Sequence, residues 1–333
     1  MNKYSFMVEI MSSSLGLYPL PDWTKDELSK LKGHQRDGLI SGNESSLINA
    51  VYDSAREFII GEQQTAGIDL IVEGQLRWDD MLAHPLIVHE SVEARGLVRY
   101  YDNNNFYREP AVVGELTSNG DVARELEKTS ELVSTPSAVF PGPYSLSKLA
   151  TDEYYGSETK FLEAIGGFVR EEIQGLPEIS YLTLLEPSLA VDPPHGDEKE
   201  LIADLLKKIK SVVKKELIIQ TYWGAFDEET YATLLELGVG IGFDFVTAAE
   251  SNLELLSEQG APKMASIGAI NGQNTNVESP EEVQNLIKGI LEKNPDIQRV
   301  VVNPNTGLFY LPENRFTEKL GVLGSIAGMR ETL

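Results

Sequence analysis

Eight short apolar or β-branched runs recur along the chain, and most are followed by a stretch with helical periodicity. This alternation limits the fold more than any other feature. The runs lie near residues 6–10, 69–73, 137–140, 181–185, 217–221, 242–246, 264–270 and 299–302. The amphipathic stretches 46–65, 158–174, 199–214, 228–237, 252–258 and 280–293 supply helices with one apolar face. Apolar strands alternating with such helices need cover on both faces, which implies the α/β class with a parallel sheet. Eight units in 333 residues point to a closed (β/α)8 TIM barrel; a doubly wound open sheet is the alternative.

Residues 86–119 fit neither period. Their segment RGLVRYYDNNNFYREPAVVGEL reads as two extended pieces around an Asn-rich turn, a β-hairpin-like insertion after the second barrel unit. No linker rich in Gly, Ser or Pro interrupts the chain, so residues 1–333 are expected to form one barrel domain that contains this insertion.

Composition excludes several chemistries. The sequence has no Cys, which removes disulfide scaffolds, Cys-rich zinc modules, thiol nucleophiles and thiolate-bound iron–sulfur clusters. Its 52 acidic against 28 basic side chains give a net charge of -24, a field that repels nucleic-acid phosphates. The one basic cluster, Lys207, Lys208, Lys210, Lys214 and Lys215, reads as the solvated face of a helix whose other face carries Leu205, Leu206, Ile209, Val212 and Val213. The opening MNKYSFMVEIMSSSLG has an apolar run broken by Glu9, so it is expected to be neither a secretion signal nor a membrane span, and a cytoplasmic protein is expected.

In a (β/α)8 barrel the residues after each strand's carboxyl end share one rim, where sites in this fold are built. Here that rim collects residues 12–18, 75–80, 141–144, 186–187, 222–224, 247–250, 271–274 and 303–306, a polar and aromatic set poor in acid–base groups. Glu186 follows the apolar run YLTLL and is the candidate catalytic group, able to anchor an amine, act as a base or hold a loop. Arg77, Asp79 and Asp80 flank Trp78 in EGQLRWDDM and could bind a zwitterion or brace the rim. Tyr222 and Trp223 could stack on a flat ring, or pack beneath the insertion. Asn271, Gln273, Asn274, Asn303 and Asn305 offer neutral donors and acceptors, although Asn is also a common turn former; Asp244 completes the expected small-molecule binding set.

His34, His84, His89 and His195 are scattered, without HExxH or HxH spacing, so a metal site built mainly from His is not expected. The glycines of LGVGIGF are read as preceding a strand, whereas a dinucleotide fingerprint follows one, so they are assigned to a helix end and close packing.

Several rim segments together resemble the cobalamin-independent methionine synthase family, whose (β/α)8 barrels share a superfamily with uroporphyrinogen decarboxylase. They are SLGLYPLPDW, AGIDLIVEGQLRWDDM, FPGPYSL, LLEPSLA, IIQTYWGAF, GIGFDFV, ASIGAINGQN and VVNPNTGLFYLP, in family order over about the whole chain. The resemblance is to one barrel of a two-barrel enzyme, closer to the amino-terminal type. It implies methyl transfer from a methyl-folate or a methyl-corrinoid to the thiol of homocysteine, with zinc deprotonating that thiol.

The positions that bind zinc in the family's catalytic barrel fall on Gln220, Tyr222, Thr306 and, at or nearby, Thr247. None is a good zinc ligand. The family's acidic pair before Pro appears as Leu185 and Glu186, and the Ser of its amino-terminal turn as Leu17. No cofactor is therefore expected on this chain alone. Two readings follow. In the first, the chain is a zinc-less companion or substrate-holding subunit of a separate zinc-bearing methionine synthase barrel. In the alternative it is a stand-alone, zinc-independent methyltransferase or small-molecule enzyme that positions its ligand with Glu186, Arg77 and Asp80. A decarboxylase-like role is disfavoured, because the rim has no basic cluster to take a polycarboxylate.

Overall fold

The computed structural model describes residues 8–30, 46–101 and 103–326; His34 and the first residues of the expected strand 6–10 lie outside them. The strands are β1 (Glu9–Ser12), β2 (Val92–Arg99), β3 (Phe106–Val112), β4 (Ala138–Pro141), β5 (Thr151–Asp152), β6 (Tyr181–Leu185), β7 (Glu216–Gln220), β8 (Gly240–Asp244), β9 (Met264–Ile270) and β10 (Arg299–Pro304). Seven pair in parallel in the order β1-β10-β9-β8-β7-β6-β4. Helices follow most of them, and the strands are buried nearly end to end, as a sheet covered by helices requires.

The gap between β1 and β4 is filled by residues 70–72. Leu70 bridges Ser13 and Val72 bridges Ser137, both in parallel, and the Ser137 amide donates to the Ile71 carbonyl at 2.7 Å. Eight segments thus close a ring, and the α/β barrel expected from the alternating pattern is the fold. The second segment differs from the expected strand 69–73 in having two isolated bridges rather than a ladder. Side chains supply the missing bonds. The Gln63 amide, on the helix Ser46–Ala66, accepts from the Val72 N–H at 3.0 Å and donates to the Val72 carbonyl at 2.9 Å. The Asp69 carboxylate accepts from the amide and hydroxyl of Ser12 at 2.8 and 3.0 Å.

The expected strand 242–246 lies two residues earlier, so Gly240 and Gly242 sit inside β8 rather than ahead of it. The reason is steric: a Cβ on Gly242 would fall 2.1 Å from Gln220 Oε1 of the neighbouring strand. Gly238, with φ 64°, closes the preceding helix Glu228–Leu237, whose start is capped by the Asp227 carboxylate. The lysine run behaves as a solvated face: Lys207, Lys208 and Lys210 are exposed on the helix Asp197–Val212, which buries Leu205, Leu206 and Ile209.

The insertion forms a hairpin. β2 and β3 pair antiparallel from Val92↔Val112 to Arg99↔Phe106, and β5 adds a short parallel edge. Its Asn-rich tip is closed by the Tyr100 amide donating to the Asn105 carbonyl at 2.9 Å and by Asn103 Oδ1 accepting from the Asn105 amide at 2.8 Å. This tip folds over the carboxyl ends of the barrel strands. Among the described residues no helix is long and apolar enough to cross a membrane.

Candidate functional site

Backbone strain marks one end of the barrel. Among the described residues, the non-glycine residues with positive φ are Leu15, Leu17, Gln75, Tyr101 and Trp223, and all lie on the rim loops or on the hairpin tip above them. Each such conformation costs about 1–3 kcal/mol and persists only where surrounding contacts enforce it. Gln75 shows how: its Oε1 accepts from the Leu17 amide at 2.6 Å and its Nε2 donates to the Val139 carbonyl at 3.1 Å, tying two rim loops to strand β4.

Above this rim Asp80, Tyr100, Tyr101, Tyr222 and Trp223 form a nest. Asp80 is 2 % exposed. Its Oδ1 accepts from the Leu82 and Ala83 amides at 2.8 and 2.6 Å and from the Tyr100 hydroxyl at 2.7 Å, whereas its Oδ2 is buried with no partner. Burial pushes the Asp80 carboxyl up, and the Tyr100 hydroxyl and the two amides oppose it. The Trp223 ring centroid lies 4.7 Å from Tyr222, 5.8 Å from Tyr100 and 5.9 Å from Tyr101. The Tyr222 hydroxyl and Trp223 Nε1 are, like Asp80 Oδ2, buried and unpartnered. Burial raises the Tyr222 phenol well above its ordinary range, and the Tyr101, Asp80, Glu186 and Tyr310 oxygens add to this. The Tyr101 hydroxyl hydrogen-bonds Ser188 and so pins the hairpin tip to the rim.

Glu186 is fully buried behind the nest. Its Oε1 and Oε2 accept from the Tyr144 and Ser145 amides at 3.0 and 2.7 Å, in the first turn of the helix Pro143–Leu149. Burial raises its pKa to about 7 against the pull of these bonds. Asp244 is saturated: it accepts from the amides of Trp223, Val246 and Thr247, from the Thr247 hydroxyl and from Asn305 Nδ2. The arrangement fixes the Trp223 backbone at its positive φ.

Arg77 faces away from the nest. Its guanidinium lies 4.4 Å from the Tyr52 ring centroid, bonds Asn49 Oδ1 at 2.8 Å and pairs with Glu125 at 3.3 Å. Trp78 stacks on His84 with centroids 5.5 Å apart. Glu125 also pairs with buried Arg56, which approaches Glu73 at 3.8 Å. Burial and then the Glu125 carboxylate raise Glu73 to about 7, with Arg56 and Arg77 opposing. Asp79 is exposed.

The amides divide into two groups. Asn271 Oδ1 accepts from the Gln273 amide, and Asn274 Oδ1 from the Asn276 amide, so this exposed turn satisfies its own backbone. Asn303 and Asn305 are fully buried. Asn303 Oδ1 accepts from the Ser266 hydroxyl at 2.8 Å, and that hydroxyl also lies 2.7 Å from Gln220 Oε1. Asn305 Oδ1 accepts from the Gly272 amide at 3.0 Å.

Tyr100, Tyr101 and Tyr310, together with Gln75, are contributors that the sequence reading did not single out. A signal existed for two of them. RYYDNNNFY places a tyrosine pair against the turn of an insertion, and an insertion that folds back must bury aromatics somewhere.

Residues 88–295 match the model of the cobalamin-independent synthase, N-terminal domain, more than half of the chain. The chain belongs to this family. Over 92 % of its length it is 24 % identical to the methionine synthase of Sulfolobus acidocaldarius, covering 88 % of that protein. It is 26 % identical to that of Saccharolobus islandicus strain L.S.2.15, covering 90 % of it. In fold it is similar to a B12-independent methionine synthase from Shewanella sp. W3-18-1 in complex with selenomethionine. The TM-score is 0.77 at 19 % identity, over 98 % of each chain.

The zinc positions of methionine synthase do not fit the metal in this member of the family. Gln220 supplies an amide oxygen already engaged by Ser266, and its Nε2 donates to the Thr221 carbonyl at 2.8 Å. Thr247 is bound to Asp244, Tyr222 offers a phenol held far from ionisation by burial, and Thr306 adds a hydroxyl. An amide, a phenol and two hydroxyls lack the anionic and imidazole donors that zinc selects. Among the described residues no group of three or more His, Asp or Glu is placed to hold an ion.

Proposed function

We propose that the chain is a stand-alone small-molecule enzyme of the methyltransferase type, working at the barrel mouth without a zinc ion of its own. One observation carries this: Asp80 Oδ2, the Tyr222 hydroxyl and Trp223 Nε1 are polar atoms buried without partners in a single nest. Such atoms cost about 1–3 kcal/mol each unless a ligand satisfies them. The strained rim residues around them support the same reading. The chain also covers 88–90 % of the length of relatives called methionine synthase, so it carries the same barrel that they do over nearly their whole span.

In this reading Asp80 positions the ligand, Glu186 holds the Tyr144–Ser145 wall, and Arg77 braces the loop behind Trp78. Methyl transfer to homocysteine, in the cytoplasm, is the family's reaction and the one to assay. The chelator-treated chain is incubated with homocysteine and either a methyl-folate or a methyl-corrinoid, and methionine is measured by mass spectrometry. Turnover that falls at least tenfold in Asp80→Asn supports the proposal. A chain inert alone but altering the rate of an added zinc-bearing barrel would replace it with the companion-subunit role.

A further inference from the structure

We propose that the nest around Asp80 recognises an alkylated onium centre, either a quaternary ammonium or a tertiary sulfonium group. The inference rests on reading the barrel mouth as the ligand site, and it names the class of ligand. Asp80 holds a carboxylate oxygen with no partner, 2 % exposed as a residue. An aromatic cluster adjoins it: Tyr100 is bonded to its other oxygen, and Trp223 packs against Tyr100, Tyr101 and Tyr222 with centroid separations of 4.7–5.9 Å. His84, a basic side chain near Asp80, is engaged elsewhere: it is stacked on Trp78 and lies 3.8 Å from Asp121.

A buried carboxylate beside a cluster of Tyr and Trp rings selects positive charge, since the faces of such rings carry the negative part of their quadrupole. An anionic ligand would be opposed by Asp80 and by Glu186 behind Tyr222. A primary ammonium would need three acceptors, and the nest has two unpartnered ones, Asp80 Oδ2 and the Tyr222 hydroxyl: the other oxygen of Asp80 is saturated, and Trp223 Nε1 is a donor only. An onium carbon shell needs no hydrogen-bond acceptor. Its charge is spread over methyl or methylene groups that can lie against the rings while Asp80 neutralises it. The Tyr222 hydroxyl and Trp223 Nε1 are then free to donate to an oxygen elsewhere on the same molecule.

The hairpin tip gives the nest its closed form. Tyr100 and Tyr101 come from the tip, Tyr222 and Trp223 from the loop after β7, and Asp80 from the loop after the second barrel segment.

Isothermal titration of the full-length chain with choline, with trimethylsulfonium and with dimethylbutanol, the neutral carbon isostere of choline, tests the proposal. Saturable binding of either cation at least tenfold tighter than of the isostere is expected, and which cation binds better separates ammonium from sulfonium. Asp80→Asn, which keeps an oxygen for the Leu82 and Ala83 amides, should weaken binding at least tenfold. Trp223→Leu should do the same, whereas Trp223→Phe retains part of the affinity. If Asp80→Asn fails the circular-dichroism check of folding, the Trp223 pair carries the test. Equal affinity for the isostere, or no saturation by either cation, overturns the proposal. Onium binding without methionine formation would remove the methyl-transfer reading and leave this one; methionine formation without onium binding would do the reverse.

Discussion

Gly142 lies directly against Glu186: a Cβ built on the glycine would fall 2.1 Å from the carboxyl carbon and from Oε1. The carboxylate reaches the Tyr144 and Ser145 amides only because that side chain is missing. Gly142→Ala should push Glu186 off both amides and destabilise the protein by about 1–3 kcal/mol. A lower urea midpoint with an unchanged slope is the expected result; an unchanged midpoint would show that the helix start does not depend on Glu186.

Stability should fall as pH rises from about 4.5 to about 7. Glu186 and Glu73 both have folded pKa values raised to about 7, so in this window the folded chain holds protons that the unfolded chain has released. The contribution is fully present below the unfolded value and is lost as pH passes the folded one. Asp53 and Asp121 are lowered and act in the opposite sense at more acidic pH. Urea unfolding across pH 4.5–7.5 should show a decline of several kcal/mol, at about 1.4 kcal/mol per pH unit for each of the two carboxyls over the range in which only the folded chain keeps its proton. Glu73→Gln should reduce the slope.

Arg56 is buried among Asp53, Glu73 and Glu125. Removing it as Arg56→Met would leave Glu73 and Glu125 facing each other without their nearest cation. A loss of about 3–5 kcal/mol is expected at neutral pH. The loss should shrink at pH 5, where Glu73 can take up a proton; a pH-independent loss in thermal denaturation would argue for lost packing alone.

Tyr101→Phe deletes the bond that pins the hairpin tip to Ser188 while keeping the ring against Trp223. Hydrogen exchange should accelerate at the Tyr100 amide and leave the barrel strands unchanged. Unaltered exchange there would mean that ring packing alone secures the tip.

The alternation of apolar runs and helices made the barrel legible in the sequence because each run obeys a local period. Residues 70–72 were placed correctly but look like a strand only in composition; the Gln63 and Asp69 side chains that replace their ladder bonds come from other segments. The same limit applies at the mouth. Asp80, Tyr222 and Trp223 could be read as rim residues from their position after apolar runs, yet their convergence with Tyr100 and Tyr101 depends on how the hairpin folds back. The amide cluster of Gln220, Ser266 and Asn303 was hidden for a related reason: three neutral side chains on β7, β9 and β10 meet only when the strands register.

The closure at residues 70–72 also makes the ring mechanically uneven. Seven of its segments are laced by continuous ladders, whereas the eighth is held by two bridges and by the side chains of Gln63 and Asp69. The barrel therefore has a seam. It lies directly beneath Gln75 and Asp80, so the segment that opens with least cost is the one that leads into Asp80 and its buried, unpartnered oxygen. Thermal breathing of the scaffold and opening of the mouth would then be one motion, and a partner or ligand that stiffens the seam would stiffen the whole ring.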